Sequence, residues 1–519
     1  VVGSGSPFLT ADWCVFAVYL AALAGGGYLA RRGARDARDF FVGHGQMPAW
    51  AVSLSVLASA TSVATYLGAP DSSFRGNLTY LAANLGTIIA VCIVAWCFIP
   101  IFYRFRVVTV YELIGNAFGP RAKTAASVTF LVGRLLASGA RLFFAAIPAA
   151  AVLFGATDSN VPALVVGVVV ITIIATSYTL AGGISSIIWT DVVQLVVAIT
   201  AVVAVGVVLF VRIPLHASDM LQVLSHAGAA GGSKLQVLNF SWDRHVTNTV
   251  WTALSGYLLL NLAVYGTDQD LAQRMLTCKN ALSGGRSAIL SIIMNIPVTL
   301  LFMSIGLMLY LFYHGPPGTA WPHHPLATTD GAFISFIIYE QPPGMAGLVM
   351  AGIFAIAFTS LLSAINALAA AVVNDLYQPL RPHLTPAQLL RASRVAVVAS
   401  GMALGVVAVA CIFWHRASPQ TSLLDFALSV VIVPYSGMLG IFLTAVFSRR
   451  GNGLSACLAL VGGAGATCIL QCCSHAQTEP WNRLALAWPW QMVIGTLIAT
   501  AICGSGRRRI IPDPGHALA

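Results

Sequence analysis

The chain has 519 residues, of which 58% are hydrophobic and only 8% charged, with a mean hydropathy of +0.84; soluble domains carry about 25% charged residues. A water-soluble enzyme or binding domain is thereby excluded, and a polytopic membrane protein is implied. The net charge of +10 does not call for nucleic acid, because the basic residues are sorted by side: with the N-terminus outside, nineteen of the 27 lie on inner loops and six on outer ones, the bias of the positive-inside rule.

In chain order, hydropathy predicts thirteen spans of roughly 20 or more residues. The first, at 11–30, is read as a span and not a signal peptide, being long and without a cleavage signature. It ends at the inner basic residues Arg31, Arg32, Arg35 and Arg38. The second, at 48–70, holds LASATSVATYLG (Leu57 to Gly68), dense in small and hydroxyl residues; the third, at 78–103, ends in IFYRFR. In the following TVYELIGNAFGP, Tyr111, Leu113, Ile114 and Phe118 recur at helical spacing and predict an interfacial helix. The fourth span, 124–155, carries Arg134 and Arg141, seven residues apart and so on one helix face; a charge at that depth marks a pathway or a paired site.

The fifth span covers 161–180 and the sixth 185–211, where Asp191 is a carboxylate well inside an apolar run. It is expected either to pair with an arginine or to join an ion site. Residues 213–245 read as an outer surface loop. The seventh span, 246–266, is followed by TDQDLAQRML, taken as an inner loop; the eighth, 287–313, precedes a Pro- and His-rich outer loop. Its His323 and His324 are too few for a metal site. The ninth span, 344–374, contains IFAIAFTSLLSAIN (Ile353 to Asn366), and four more follow at 392–414, 424–447, 453–473 and 485–504. The ten cysteines have no metal spacing and mostly act as small hydrophobes inside apolar runs.

The stretch Ile353 to Asn366 organises the reading. A hydroxyl without a partner in hydrocarbon costs several kcal/mol, yet Thr359, Ser360 and Ser363 cluster there, Thr359 and Ser363 on one helical face. Small and hydroxyl residues also let membrane helices approach closely. The sharper expectation is that this stretch and Leu57 to Gly68 are both kinked, face each other and hold a sodium ion. Sodium is a hard cation that wants oxygen; carbonyls of Ala58, Thr61 and Ile356 with hydroxyls of Thr359 and Ser360 supply it without a permanent buried charge. Asp191 could neutralise a second ion. Spans two to six and seven to eleven form two sets of five, and five being odd, they enter the bilayer in opposite senses. That is the pattern of inverted-repeat secondary transporters.

These motifs, SLSVLASATSVATYLGAP (Ser53 to Pro70), YTLAGGISSIIWTDVVQ (Tyr178 to Gln194), DQDLAQRML (Asp268 to Leu276) and FAIAFTSLLSAINALAAAVVNDLY (Phe354 to Tyr377), resemble the sodium:solute symporter family over about residues 10–450. The resemblance implies an all-α, leucine-transporter-like fold of two inverted five-helix repeats with peripheral helices. It puts the main sodium site on Ala58, Thr61, Ile356, Thr359 and Ser360, and a second one, found in some members, on Asp191, Thr359 and Ser363. The chain departs at Leu362, which occupies a place where the sialic acid transporters of the family look hydroxyl-bearing. In the sialic acid branch the solute pocket maps onto Ala60, Ser62, Thr65, Tyr80, Asn84 and an arginine, Arg134 or Arg141, with Ala60 and Asn84 standing where threonine and glutamine are expected. An arginine suits a desolvated carboxylate, and Ala60, Ala64 and Thr65 do not match the sugar-binding residues of the glucose branch.

The expected organisation is an extra helix and basic loop (1–46), a first repeat (47–212), an outer loop (213–245), a second repeat (246–450) and two final helices with a short tail (451–519). The expected activity is sodium-coupled import of a small, carboxylate-bearing organic solute across a bacterial plasma membrane, with the N-terminus outside and the C-terminus cytoplasmic, and with no protein partner required. The alternatives are a proton-coupled or neutral-solute carrier, and a membrane solute sensor, against which the tail after Arg509 leaves no room for an output domain. No acid/base pair or metal motif within the spans suggests an enzyme.

Overall fold

The computed structural model describes residues 8–29, 40–41, 45–154, 160–228, 232–316, 332–381, 383–417, 423–475 and 485–507. Arg31, Arg32, Arg35, Arg38, His323 and His324 lie outside the described residues. In chain order the helices are α1 (Thr10–Leu29), α2 (Ala49–Ala60), α3 (Val63–Arg75), α4 (Thr79–Arg104), α5 (Tyr111–Phe118), α6 (Pro120–Phe154), α7 (Val161–Leu180), α8 (Gly183–Arg212), α9 (Ala217–His226), α10 (Val250–Gly266), α11 (Gln269–Leu276), α12 (Ala281–His314), α13 (Ala332–Tyr339), α14 (Met345–Leu380), α15 (Pro386–Ala417), α16 (Leu423–Phe447), α17 (Gly453–His475) and α18 (Trp488–Gly504). Among the described residues there is no β-strand, only an isolated bridge between Met47 and Cys278.

Eight of these helices, α4, α6, α7, α8, α12, α14, α15 and α17, are long and apolar enough to cross a membrane, and the α2–α3 pair makes a ninth. Shorter apolar stretches in α1, α10, α16 and α18 lie where the sequence places further spans. The α14 window is 94% buried, against 33% to 67% for the others. It is the axle of the bundle, touched by protein on every side, which explains why it can hold hydroxyls that lipid would not tolerate.

The first helix of each predicted repeat is broken. In the first repeat the halves Ala49–Ala60 and Thr65–Arg75 are bent by 61°, because Thr61 (ψ 109) and Ser62 (ψ 167) are extended. The Ser62 hydroxyl then caps the next half by accepting the Thr65 amide at 3.3 Å. In the second repeat α10 stops at Gly266, and Asp268, extended at ψ 122, caps α11 by accepting the Asp270 amide at 2.9 Å.

Two expectations are corrected here. The second break is not at Ile353 to Asn366: the α-helix runs unbroken from Met345 to Ala371. Ser363 donates back to the Thr359 and Ser360 carbonyls at 2.9 and 3.1 Å, so its hydroxyl is satisfied without unwinding. Nor is TDQDLAQRML a solvated inner loop, since every residue from Gln269 to Leu276 is buried. It is a buried helix that follows α10 after the two-residue break at Thr267 and Asp268, and its polar residues face other polar residues.

The predicted helix at Tyr111–Phe118 is present, and Tyr111, Leu113, Ile114 and Phe118 are buried, Tyr111 against Phe130 with ring centroids 5.2 Å apart. Its apolar face thus packs on the protein. Residues 213–245 are more than a surface loop: they contain α9, and Lys234, only 3% exposed, donates to the Phe74 and Gly76 carbonyls at 2.8 Å each. The ammonium also sits 4.1 Å from the Tyr310 ring centroid.

The α3–α12 contact is backbone-close at Gly306, where an added Cβ would fall well inside contact distance of the Pro70 carbonyl and the Ser73 hydroxyl. Ser73 donates to the Met303 carbonyl at 2.7 Å across the same seam. Gly306→Ala is therefore expected to lower stability by about 1–3 kcal/mol through overpacking, read as a lower melting temperature of the detergent-solubilised protein; an unchanged melt would mean that the seam can open freely.

Candidate ion and solute sites

The break at Thr61–Ser62 sets up the first site. Leu57 O accepts the Thr61 amide at 2.9 Å, and the carbonyls from Ala58 onward are the orphan acceptors of a helix end. Across from them lies α14, where Ser363 Oγ approaches Ser59 Oγ to 3.3 Å. The two stretches thus meet. Ile356, Thr359, Ser360 and Ser363 are all buried on α14. Thr61 Oγ1 and Ser360 Oγ are buried with no hydrogen-bond partner among the described residues. Two unpartnered hydroxyl oxygens on helices that meet, together with the free carbonyls of a helix end, are neutral donors of the kind that suits a bare alkali cation. Thr359 differs: its hydroxyl donates to Gln194 Oε1 at 2.5 Å.

A cavity of about 160 Å³ adjoins this point, lined by Ala60, Ser62, Thr65, Tyr80, Asn84, Arg134 and Arg141 among others. All seven positions singled out for solute thus lie on one wall system. The N-terminus of α3 opens on the cavity at Ser62 and Thr65, giving a partial positive charge there. Asn84 accepts from Asn295 Nδ2 at 3.0 Å; Asn261, Tyr257 and Thr299 add further polar edges.

The two arginines are in different situations. Arg134 Nη1 donates to Asp268 Oδ2 at 2.8 Å and Nη2 to Asp270 Oδ2; Tyr435 donates to Asp268 as well. Arg141, about two turns further along the same face of α6, also lines the cavity and makes no ion pair among the described residues. Of the two arginines, Arg141 is the one without a carboxylate partner among the described residues.

Asp270 belongs to a longer chain of charge. It receives Arg134 on one side, Arg274 on the other and the Ser59 hydroxyl at 3.0 Å. Arg274 continues to Asp191, Nη2 to Oδ2 at 2.9 Å, and its Nε donates to Ser55 Oγ at 2.8 Å. Ser55 in turn donates to Asp191 Oδ2 at 2.5 Å. Of the two roles open to Asp191, the structure displays the arginine pair. Arg274, expected on an inner loop, is fully buried, and a buried guanidinium is tolerable only with such partners.

Asp268, Asp270, Arg274, Gln194 and Tyr435 were not singled out by sequence reasoning. A signal existed for two of them, since Asp270 and Arg274 are four apart and share a helical face. DQDLAQRML is too polar to read as membrane-embedded unless its ion partners are known.

A sequence model of the sodium:solute symporter family matches residues 40–463. The sodium/sialic acid symporter NanT of Aliivibrio fischeri is 28% identical over 498 residues, covering 95% of this chain and 92% of its own. The human sodium-coupled monocarboxylate transporter 1 is 27% identical over 466 residues, covering 88% and 72%. A sodium-coupled sialic acid symporter, solved substrate-bound and outward-open, superposes with a TM-score of 0.80 at 22% identity, over 96% of this chain and 98% of that one. At that identity the likeness carries the fold alone: a leucine-transporter-like arrangement of two inverted five-helix repeats.

Proposed function

The chain belongs to the sodium:solute symporter family, and from that premise we propose that it imports a short, carboxylate-bearing solute together with sodium, the carboxylate being held by Arg141 at the mouth of the broken helix α2–α3. It is a multi-pass membrane carrier driven by sodium and not an enzyme. The observation that carries the solute reading is the unpaired Arg141 guanidinium on a cavity of about 160 Å³. A desolvated carboxylate needs a charged, bidentate partner, and the α3 N-terminus favours the same charge. The volume lies below the roughly 300 Å³ at which pockets enclose drug-sized ligands, which favours an acid of few carbons. Two relatives carry acids in their names, one a sialic acid and one monocarboxylates. The polar edges of Asn84, Asn261 and Asn295 suit hydroxyl or keto groups on the same solute.

The sodium would be held by carbonyls of Ala58, Thr61 and Ile356 and by the Thr61, Thr359 and Ser360 side chains. One charge moving down about 100 mV releases roughly 2.3 kcal/mol, and a tenfold ion gradient adds about 1.4; together they sustain roughly 500-fold accumulation per ion. Ion binding bridges α2 and α14 and so favours the conformation in which the two are in contact, and its loss inside releases solute. The sorting of basic residues favours a plasma-membrane carrier with the N-terminus outside and the C-terminus in the cytoplasm.

The test is uptake into proteoliposomes of labelled acids graded in size from lactate and pyruvate through gluconate to sialic acid, in sodium and in choline. Sodium-dependent uptake of the short acids is expected, whereas uptake of uncharged sugars alone, or uptake indifferent to sodium, would end the reading. Ser360→Ala should raise the sodium concentration for half-maximal uptake by about 10-fold, the cost of one lost oxygen to a charged group, while leaving the limiting rate at saturating sodium close to the parent's.

A further inference from the structure

The residues grouped for a second sodium are each engaged elsewhere. Asp191 Oδ2 takes Arg274 at 2.9 Å and Ser55 at 2.5 Å. The Thr359 hydroxyl is turned onto Gln194, and the Ser363 hydroxyl onto the carbonyls of its own helix. Leu362, wholly buried, adds a side chain with no oxygen. Asp191 Oδ1 remains without a partner among the described residues, but the carboxylate already has a full positive charge against its other oxygen in the Arg274 guanidinium. The contrast with the first site is direct, since there Thr61 Oγ1 and Ser360 Oγ are both unpartnered.

We propose that the Arg274 guanidinium is a tethered cation that takes the place of a second sodium at Asp191, so that the carrier binds and couples a single sodium per solute. Arg134 and Arg274 pair with Asp191, Asp268 and Asp270 in one connected buried group, and Arg274 there already supplies the positive charge that Asp191 would otherwise take from an ion. Arg274 acts through Asp191 and Asp270 and touches neither solute nor sodium, which makes it a positioning residue that sets stoichiometry. The inference rests on the sodium reading above.

Its experiment uses the full-length purified carrier and ²²Na⁺ as the only ligand, counting ions bound per chain at saturation. One ion per chain is expected. Two ions would overturn the inference and leave sodium coupling intact, whereas none would overturn both. Arg274→Gln removes the tethered charge and is expected to raise the count to two; Arg274→Lys restores a cation and should return it to one. A folded Arg274→Gln protein that still binds one ion would also overturn the proposal. If that variant fails to fold, Leu362→Ser supplies a hydroxyl on the same stretch of α14 while Arg274 stays, and the count is expected to remain at one; two would mean that Leu362 and not Arg274 excludes the second ion.

Discussion

Asp270→Ala is expected to cost the carrier about 3–5 kcal/mol of stability, the largest loss among single substitutions considered for this fold. The magnitude follows from what the carboxylate does: it is 2% exposed and sits between Arg134 and Arg274, so its removal leaves two buried guanidinium groups short of a partner. Asp268 and Asp191 remain to hold one each, which keeps the cost from doubling. Asp270→Asn retains shape and a carbonyl acceptor and should fall between alanine and the parent. Thermal unfolding in detergent reads the series; equal melting temperatures for the parent and Asp270→Ala would mean that the arginines find water or each other's partners, and the ion chain would then lose its structural meaning.

Arg141→Gln is expected to raise the KM for the acidic solute by about 10- to 150-fold, the value of a charge-assisted hydrogen bond of about 1.5–3 kcal/mol, with little change in melting temperature because Arg141 has no ion partner among the described residues to strand. Arg134→Gln should behave in the opposite way, since it strips Asp268 and Asp270 of a cation and so lowers stability before it alters affinity. Measuring KM and melting temperature for both variants separates the two roles. A large KM effect at Arg134 with a normal melt, and none at Arg141, would assign the acid to the other guanidinium.

Much of this arrangement was legible in the chain. Hydroxyls inside apolar runs at Thr61, Thr359, Ser360 and Ser363 are anomalies that hydrocarbon does not permit without a partner, and they led to the right pair of helices facing each other. The odd number of spans per half pointed to the inverted repeat. Other features were illegible for physical reasons. Hydropathy discards Asp268, Asp270 and Arg274 from the membrane because it prices each charge alone, whereas here each is cancelled by a neighbour distant in sequence, Arg134 by 134 and 136 positions and Asp191 by 83. The break in the second half was misplaced for a related reason: Thr359 and Ser363 look like helix disruptors, but their hydroxyls are satisfied by Gln194 and by the helix itself. The real break at Thr267–Asp268 carries no proline and looks like an ordinary span end.

Lys234 has a mechanical consequence. Its ammonium grips the carbonyls at the C-terminal end of α3 while resting on Tyr310 of α12, so Lys234 is a strap across two helices. Any tilt of α3 against α12 must either drag that strap along or tear away two hydrogen bonds and a ring contact at once. The polypeptide that follows α9 is thus harnessed to one half of the broken helix, and a cut in the backbone near residue 234 would slacken that hold without touching a residue that lines the solute cavity.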